Sequence, residues 1–122
     1  MSNFQQYPYA DYEPDELGFH NDDGNIVTTG SSPTQSIFFG CLNGLCQLNL
    51  QIYGVKQLRG YQYSGIGHLP AGYEPHRVID ITTGSFGNDK IIARVDTDGS
   101  IKALCPESGQ EFSIIDHIVW NH

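Results

Sequence analysis

Ser36-Ile37-Phe38-Phe39-Gly40-Cys41-Leu42-Asn43-Gly44-Leu45-Cys46-Gln47-Leu48-Asn49-Leu50-Gln51-Ile52-Tyr53 decides the fold of this 122-residue chain. Two runs of alternating apolar residues flank Asn43-Gly44, the dipeptide whose tolerance of positive φ suits the type I′ turn of a two-residue hairpin. That turn fixes the register. Cys41 faces Cys46, Phe39 faces Leu48 and Ile37 faces Leu50, while Gln47, Asn49 and Gln51 fall on the opposite face. One face is built for a core and the other for water.

The same signals continue outward. Asn25-Ile26-Val27-Thr28-Thr29 reads as a short strand closed by Gly30-Ser31-Ser32-Pro33. His76–Thr82 and Lys90–Asp96 alternate as strands around the polar loop Gly84–Asp89, and Asp98-Gly99 turns the chain into a further strand, Ser100–Cys105, ended by Pro106–Gly109. In Phe112–Trp120, Ile114, Ile115, Ile118 and Val119 suit either one helix face or a strand; the neighbouring elements favour strand. Composition agrees, because 12 Ile and 5 Val outnumber 8 Leu and 4 Ala, the reverse of a helical balance. Seven or so short strands, spaced ~10 residues apart, predict an all-β, antiparallel sandwich or barrel.

Charge divides the chain in two. Residues 1–25 hold six acids and no Lys or Arg, whereas the rest holds eight acids and six bases. The first segment also carries Phe4, Tyr7, Tyr9, Tyr12 and Phe19 with Pro8 and Pro14, at no helical or strand period. It is expected to be an extended arm without a packed element of its own. Phe4, Tyr7, Tyr9 and Tyr12 are its candidate docking side chains toward another subunit or protein. Residues 26–122 form the β domain.

A net charge of -8 repels phosphate backbones and anionic membrane faces, so no nucleic-acid or membrane partner is expected. No basic, apolar leader opens the sequence, which points to synthesis in a reducing cytoplasm. Three cysteines cannot pair completely. Cys41 and Cys46 are close enough across the hairpin to be either packed thiols or a bridge formed after release from a cell.

Motifs for chemistry mostly fail. Cys41, Cys46, Cys105 and His117 offer four zinc ligands, but the hairpin register accounts for the first two more simply. Asp96-Thr97-Asp98-Gly99 begins like a calcium loop, yet glycine stands fourth where such a loop needs it sixth. Cys105, Asp116 and His117 do not make a triad, because neighbours on a strand point to opposite faces. Gly65–Gly72 places Pro70 where a phosphate loop needs donors. No catalytic residue, metal or cofactor is expected.

Gly67-His68-Leu69-Pro70-Ala71-Gly72-Tyr73-Glu74-Pro75, an Ile-rich strand, a polar loop, Val95-Asp96-Thr97-Asp98-Gly99-Ser100-Ile101 and a final Ile118-Val119-Trp120 follow in order. Over about residues 66–120 this set resembles the distal head domain of bacteriophage tail-fibre and receptor-binding proteins. Glu74 stands where such sequences often carry a basic residue. The resemblance implies a non-catalytic virion protein, a homotrimer assembled in the host cytoplasm, that attaches to bacterial surface polysaccharide. Residue type alone nominates the saccharide contacts: an aromatic ring, Trp120, and the planar or charged groups of Asp116, His117, His76, Arg77 and Asp80. No heptads or Gly-X-Y repeats precede the domain to form a shaft. The competing expectation is therefore a decoration, neck or baseplate protein whose residues 1–25 dock onto the particle, with no receptor to bind.

Overall fold

A computed structural model describes residues 12–20, 24–28, 35–86, 89–104 and 111–122, with 83–86 and 89–90 described by backbone alone. It is all-β. Among the described residues nine strands follow one another: β1 (Tyr12–Leu17), β2 (Ile26–Thr28), β3 (Gln35–Leu42), β4 (Leu45–Gln57), β5 (Ser64–His68), β6 (Ile79–Phe86), β7 (Asp89–Val95), β8 (Ser100–Leu104) and β9 (Glu111–Asn121). They form two antiparallel sheets, one of five strands and one of four, stacked as a sandwich.

The β3–β4 hairpin has the register its turn demands. Asn43 and Gly44 take φ of 52° and 81°, and Cys41↔Cys46, Phe39↔Leu48 and Ile37↔Leu50 are paired. Cys41 and Cys46 are joined by a disulfide, their Cα atoms 4.0 Å apart. β4 is the spine of the larger sheet. β9 runs along one of its edges from Leu45 to Lys56, which leaves β3 and β2 to share the other. β9 confirms the strand reading of the last segment. Its Phe112, Ile114, Ile118 and Trp120 turn inward, and Ile115, His117 and Val119 outward.

The second sheet has the order β5-β8-β7-β6 and contributes Ile66, Ile91, Ala93, Val95, Ile101 and Ala103 to the core. The strand expected at His76–Thr82 begins instead at Ile79. Pro75, buried, and the residues after it form an approach segment without ladder bonds. β5 did not declare itself in the sequence, since Ser-Gly-Ile-Gly-His has too few side chains to alternate. The outer face of this sheet carries charged pairs: Arg94 donates to both Asp80 oxygens at 2.7 and 2.8 Å, and Lys102 Nζ lies 3.1 Å from Asp96.

The arm differs from expectation. Tyr12–Leu17 pairs with β3 from Tyr12↔Cys41 to Leu17↔Ile37, with a bulge around Pro14, and Tyr12, Leu17 and Phe19 pack against the core. An edge strand needs only free backbone donors and acceptors on its neighbour, and a bulged edge tolerates proline, so side-chain period gave no warning. Gly40 permits the approach, since a Cβ there would sit 3.2 Å from Pro14 Cα. Phe4, Tyr7 and Tyr9 lie outside the described residues.

At the far end of β4 two fully buried amides brace the next loop. Asn25 Nδ2 donates to Arg59 O (3.0 Å) and Ser64 Oγ (2.8 Å), and its Oδ1 accepts from Arg59 N (2.8 Å). Gln57 Nε2 donates to Arg59 O and Gln62 O at 2.6 and 2.8 Å. These bonds offset the desolvation of polar groups placed in a core.

Candidate functional site

At the hairpin end of the sandwich, aromatic rings fill the space between the sheets. Tyr12, Phe39 and Tyr73 meet pairwise at centroid distances of 5.3–5.6 Å, and Trp120 stacks on Phe39 at 5.9 Å. Tyr73 is delivered by the bend after β5, where Leu69 N donates to Gly99 O and Tyr73 N to Pro70 O. Beside this cluster, the approach to β6 and the end of β9 border an open groove of about 450 Å³, lined by Pro75, His76, Arg77, Ile79, Val119, Trp120 and Asn121.

The groove gathers three of the six residues nominated for saccharide contact. His76 and Arg77 are exposed on its wall. Trp120 is only 8% exposed, so it forms the floor and is chiefly a core side chain, not an open stacking platform. Its Nε1–H is buried without an acceptor among the described residues. Asn121 and His122, which residue-type reasoning passed over, complete the neighbourhood. The His122 ring lies 5.1 Å from that of His76 and 6.3 Å from that of Tyr73, and His122 N donates to Gly44 O. Burial, and then the neighbouring His76, hold the His122 imidazole below the usual histidine range.

The other three are elsewhere. Asp80 faces outward on the smaller sheet, where the Arg94 hydrogen bonds hold its carboxyl below the usual range. Arg94 also covers the Tyr63 ring at 3.9 Å. Asp116 is half-buried opposite Leu50, and its Oδ1 accepts from His117 N at 2.8 Å. His117 points out from the larger sheet in the row Phe38–Asn49–His117. Strand alternation separates Asp116 from His117, for the reason that ruled out a triad there. Tyr12, nominated for docking, is engaged with Phe39 and Tyr73 of its own domain.

Among the described residues no group of three His, Cys, Asp or Glu side chains is placed to hold a metal ion. Cys105 lies outside them. The Asp96–Gly99 carboxylates are turned onto their own hairpin: Thr97 N donates to Asp96, and Ser100 N and Oγ donate to Asp98. The groove thus offers the His76 imidazole, a guanidinium and an amide beside Trp120, a set that hydrogen-bonds hydroxyl and carbonyl groups. No family model matches the chain, and no curated protein or solved structure matches it either.

Proposed function

We propose that this chain is a non-catalytic attachment head that takes a bacterial surface saccharide in the groove between the Pro75–Ile79 segment and the end of β9. The observation that carries the reading is the convergence of His76, Arg77 and Asn121 over Trp120, whose buried N–H lacks an acceptor among the described residues. Planar donors and acceptors beside an apolar ring suit a sugar's hydroxyls and its C–H face. The resemblance to phage receptor-binding heads supplies the setting, a symmetric assembly at a tail tip. The test is binding of purified protein to host cell-wall polysaccharide, followed by the fluorescence of the single tryptophan. Arg77→Ala and Asn121→Ala each weaken binding ~10-fold, the loss of one or two hydrogen bonds. Binding unchanged in both variants removes the groove from the reading.

A second reading has its own support. Exposed apolar side chains crowd the outer face of the larger sheet, as on a protein-binding surface, which favours a decoration, neck or baseplate protein with no receptor. In that case labelled protein binds virions lacking it and leaves host cells unlabelled.

A further inference from the structure

We propose that the outer face of the five-stranded sheet is a self-association surface, covered by a second copy of this chain. The ladder of β3, β4 and β9 sets out four outward rows: Ser36–Gln51–Ile115, Phe38–Asn49–His117, Gly40–Gln47–Val119 and Leu42–Leu45–Asn121. Five of the nine exposed large apolar side chains among the described residues stand in them. Leu42 is 63% exposed, Ile115 56% and Val119 50%. Such a concentration is unusual on a surface facing only water.

Charge selects the occupant. The whole chain carries -8, so two copies repel unless they meet where charge is absent. The β3, β4 and β9 residues of these four rows include no Lys, Arg, Asp or Glu; Glu16 of β1 extends the second row as the register partner of Phe38, Glu13 borders the hollow at Gly40, and Lys56 and Glu111 are paired beyond. The outer face of the smaller sheet, by contrast, carries Asp80–Arg94 and Asp96–Lys102. Amides between the apolar residues supply both donors and acceptors, so an identical surface can satisfy them. A hollow of about 210 Å³ over Gly40, walled by Pro14, Phe38, Leu42 and Leu45, gives the face relief into which a partner's apolar side chain fits.

Size sets the strength. Three strands ~14 Å wide and ~27 Å long give a flat footprint of ~380 Å². This is under half the ~800 Å² per partner of a standard interface, so association is weak and concentration-dependent, with side-chain relief adding to it.

This inference deepens the symmetric-assembly part of the proposed function by naming its surface; the face adjoins the groove at Val119 and Asn121, so the test uses substitutions outside the groove's lining. Sedimentation equilibrium of the full chain across a range of concentrations tests it, with Leu42→Lys, Ile115→Lys and, on the other sheet, Thr82→Lys. All three positions are exposed, and circular dichroism verifies the fold of each variant. The expected result is an apparent mass that rises with concentration above the 13.5 kDa of one chain for the unmodified protein and Thr82→Lys, and that stays at one chain for the other two. A single-chain mass at every concentration overturns the proposal and leaves the face to a different partner. So does association that survives both lysine substitutions. Leu42 and Ile115 do not line the groove, so polysaccharide binding by the single-chain variants is read separately and bears on the groove.

Discussion

Trp120 is the register partner of Cys46, so the only tryptophan of the chain sits directly beside the Cys41–Cys46 disulfide, on the row that begins with Tyr12. The row joins four strands: β1, β3, β4 and β9. It ties the turn that fixes the fold to the floor of the groove. Reducing the disulfide, or replacing both cysteines by serine, lowers stability by about 2 kcal/mol, the loop entropy of so short a ring. Because a disulfide quenches a neighbouring indole, Trp120 emission rises in step with thiol release. Thiol titration with no change in emission or melting temperature excludes the bond from the native state.

Asn25→Ala removes three hydrogen bonds made by a fully buried side chain. The partners Arg59 N and Ser64 Oγ lose a bond each, so the expected loss is about 2–4 kcal/mol, large for a polar residue. Urea unfolding measures it, and a shift of the midpoint without a change in slope marks a native-state effect.

Gly40→Ala places a methyl 3.2 Å from Pro14 Cα and Cγ. Backbone cannot yield as a flexible side chain does, so β1 lifts, at a cost of about 1–3 kcal/mol. The loss shows as faster amide exchange at the β1–β3 ladder and as cleavage near Tyr12, which leaves its contacts with Phe39 and Tyr73. Unchanged exchange there means that β1 contributes little to the sheet.

Acid destabilises the fold in two steps. The His122 imidazole titrates below its ordinary 6.5 in the folded chain, so between those values the unfolded chain binds more protons and stability falls with pH, levelling off below the folded value. The carboxyls of Asp80, Asp96 and Asp98 are held below 3.8, chiefly by Arg94, Thr97 and Ser100 respectively. Their contribution is complete above 3.8 and is lost as pH falls through the lowered values. His122→Gln removes the upper step of the pH–stability curve and leaves the lower one.

The Asn43-Gly44 turn settled the β3–β4 register, the inward set Ile37, Phe39, Leu48 and Leu50, and the closeness of Cys41 to Cys46, because a two-residue turn leaves alternation a single phase. Its wet face, read from Gln47, Asn49 and Gln51, was equally local. The sequence did not disclose that Tyr12–Leu17 adds an edge strand or that Ser64–His68 forms another, since both depend on backbone groups offered by a distant partner. The functional nominations divided the same way. Residue type picked out Trp120, His76 and Arg77, but only the packing of β9 beside the approach to β6 brought them together with Asn121 and His122. That packing also carried Asp80, Asp116 and His117 onto other faces. A strand's own alternation is a short-range property written along the chain, whereas which strands become neighbours is decided by the burial of both sheets at once.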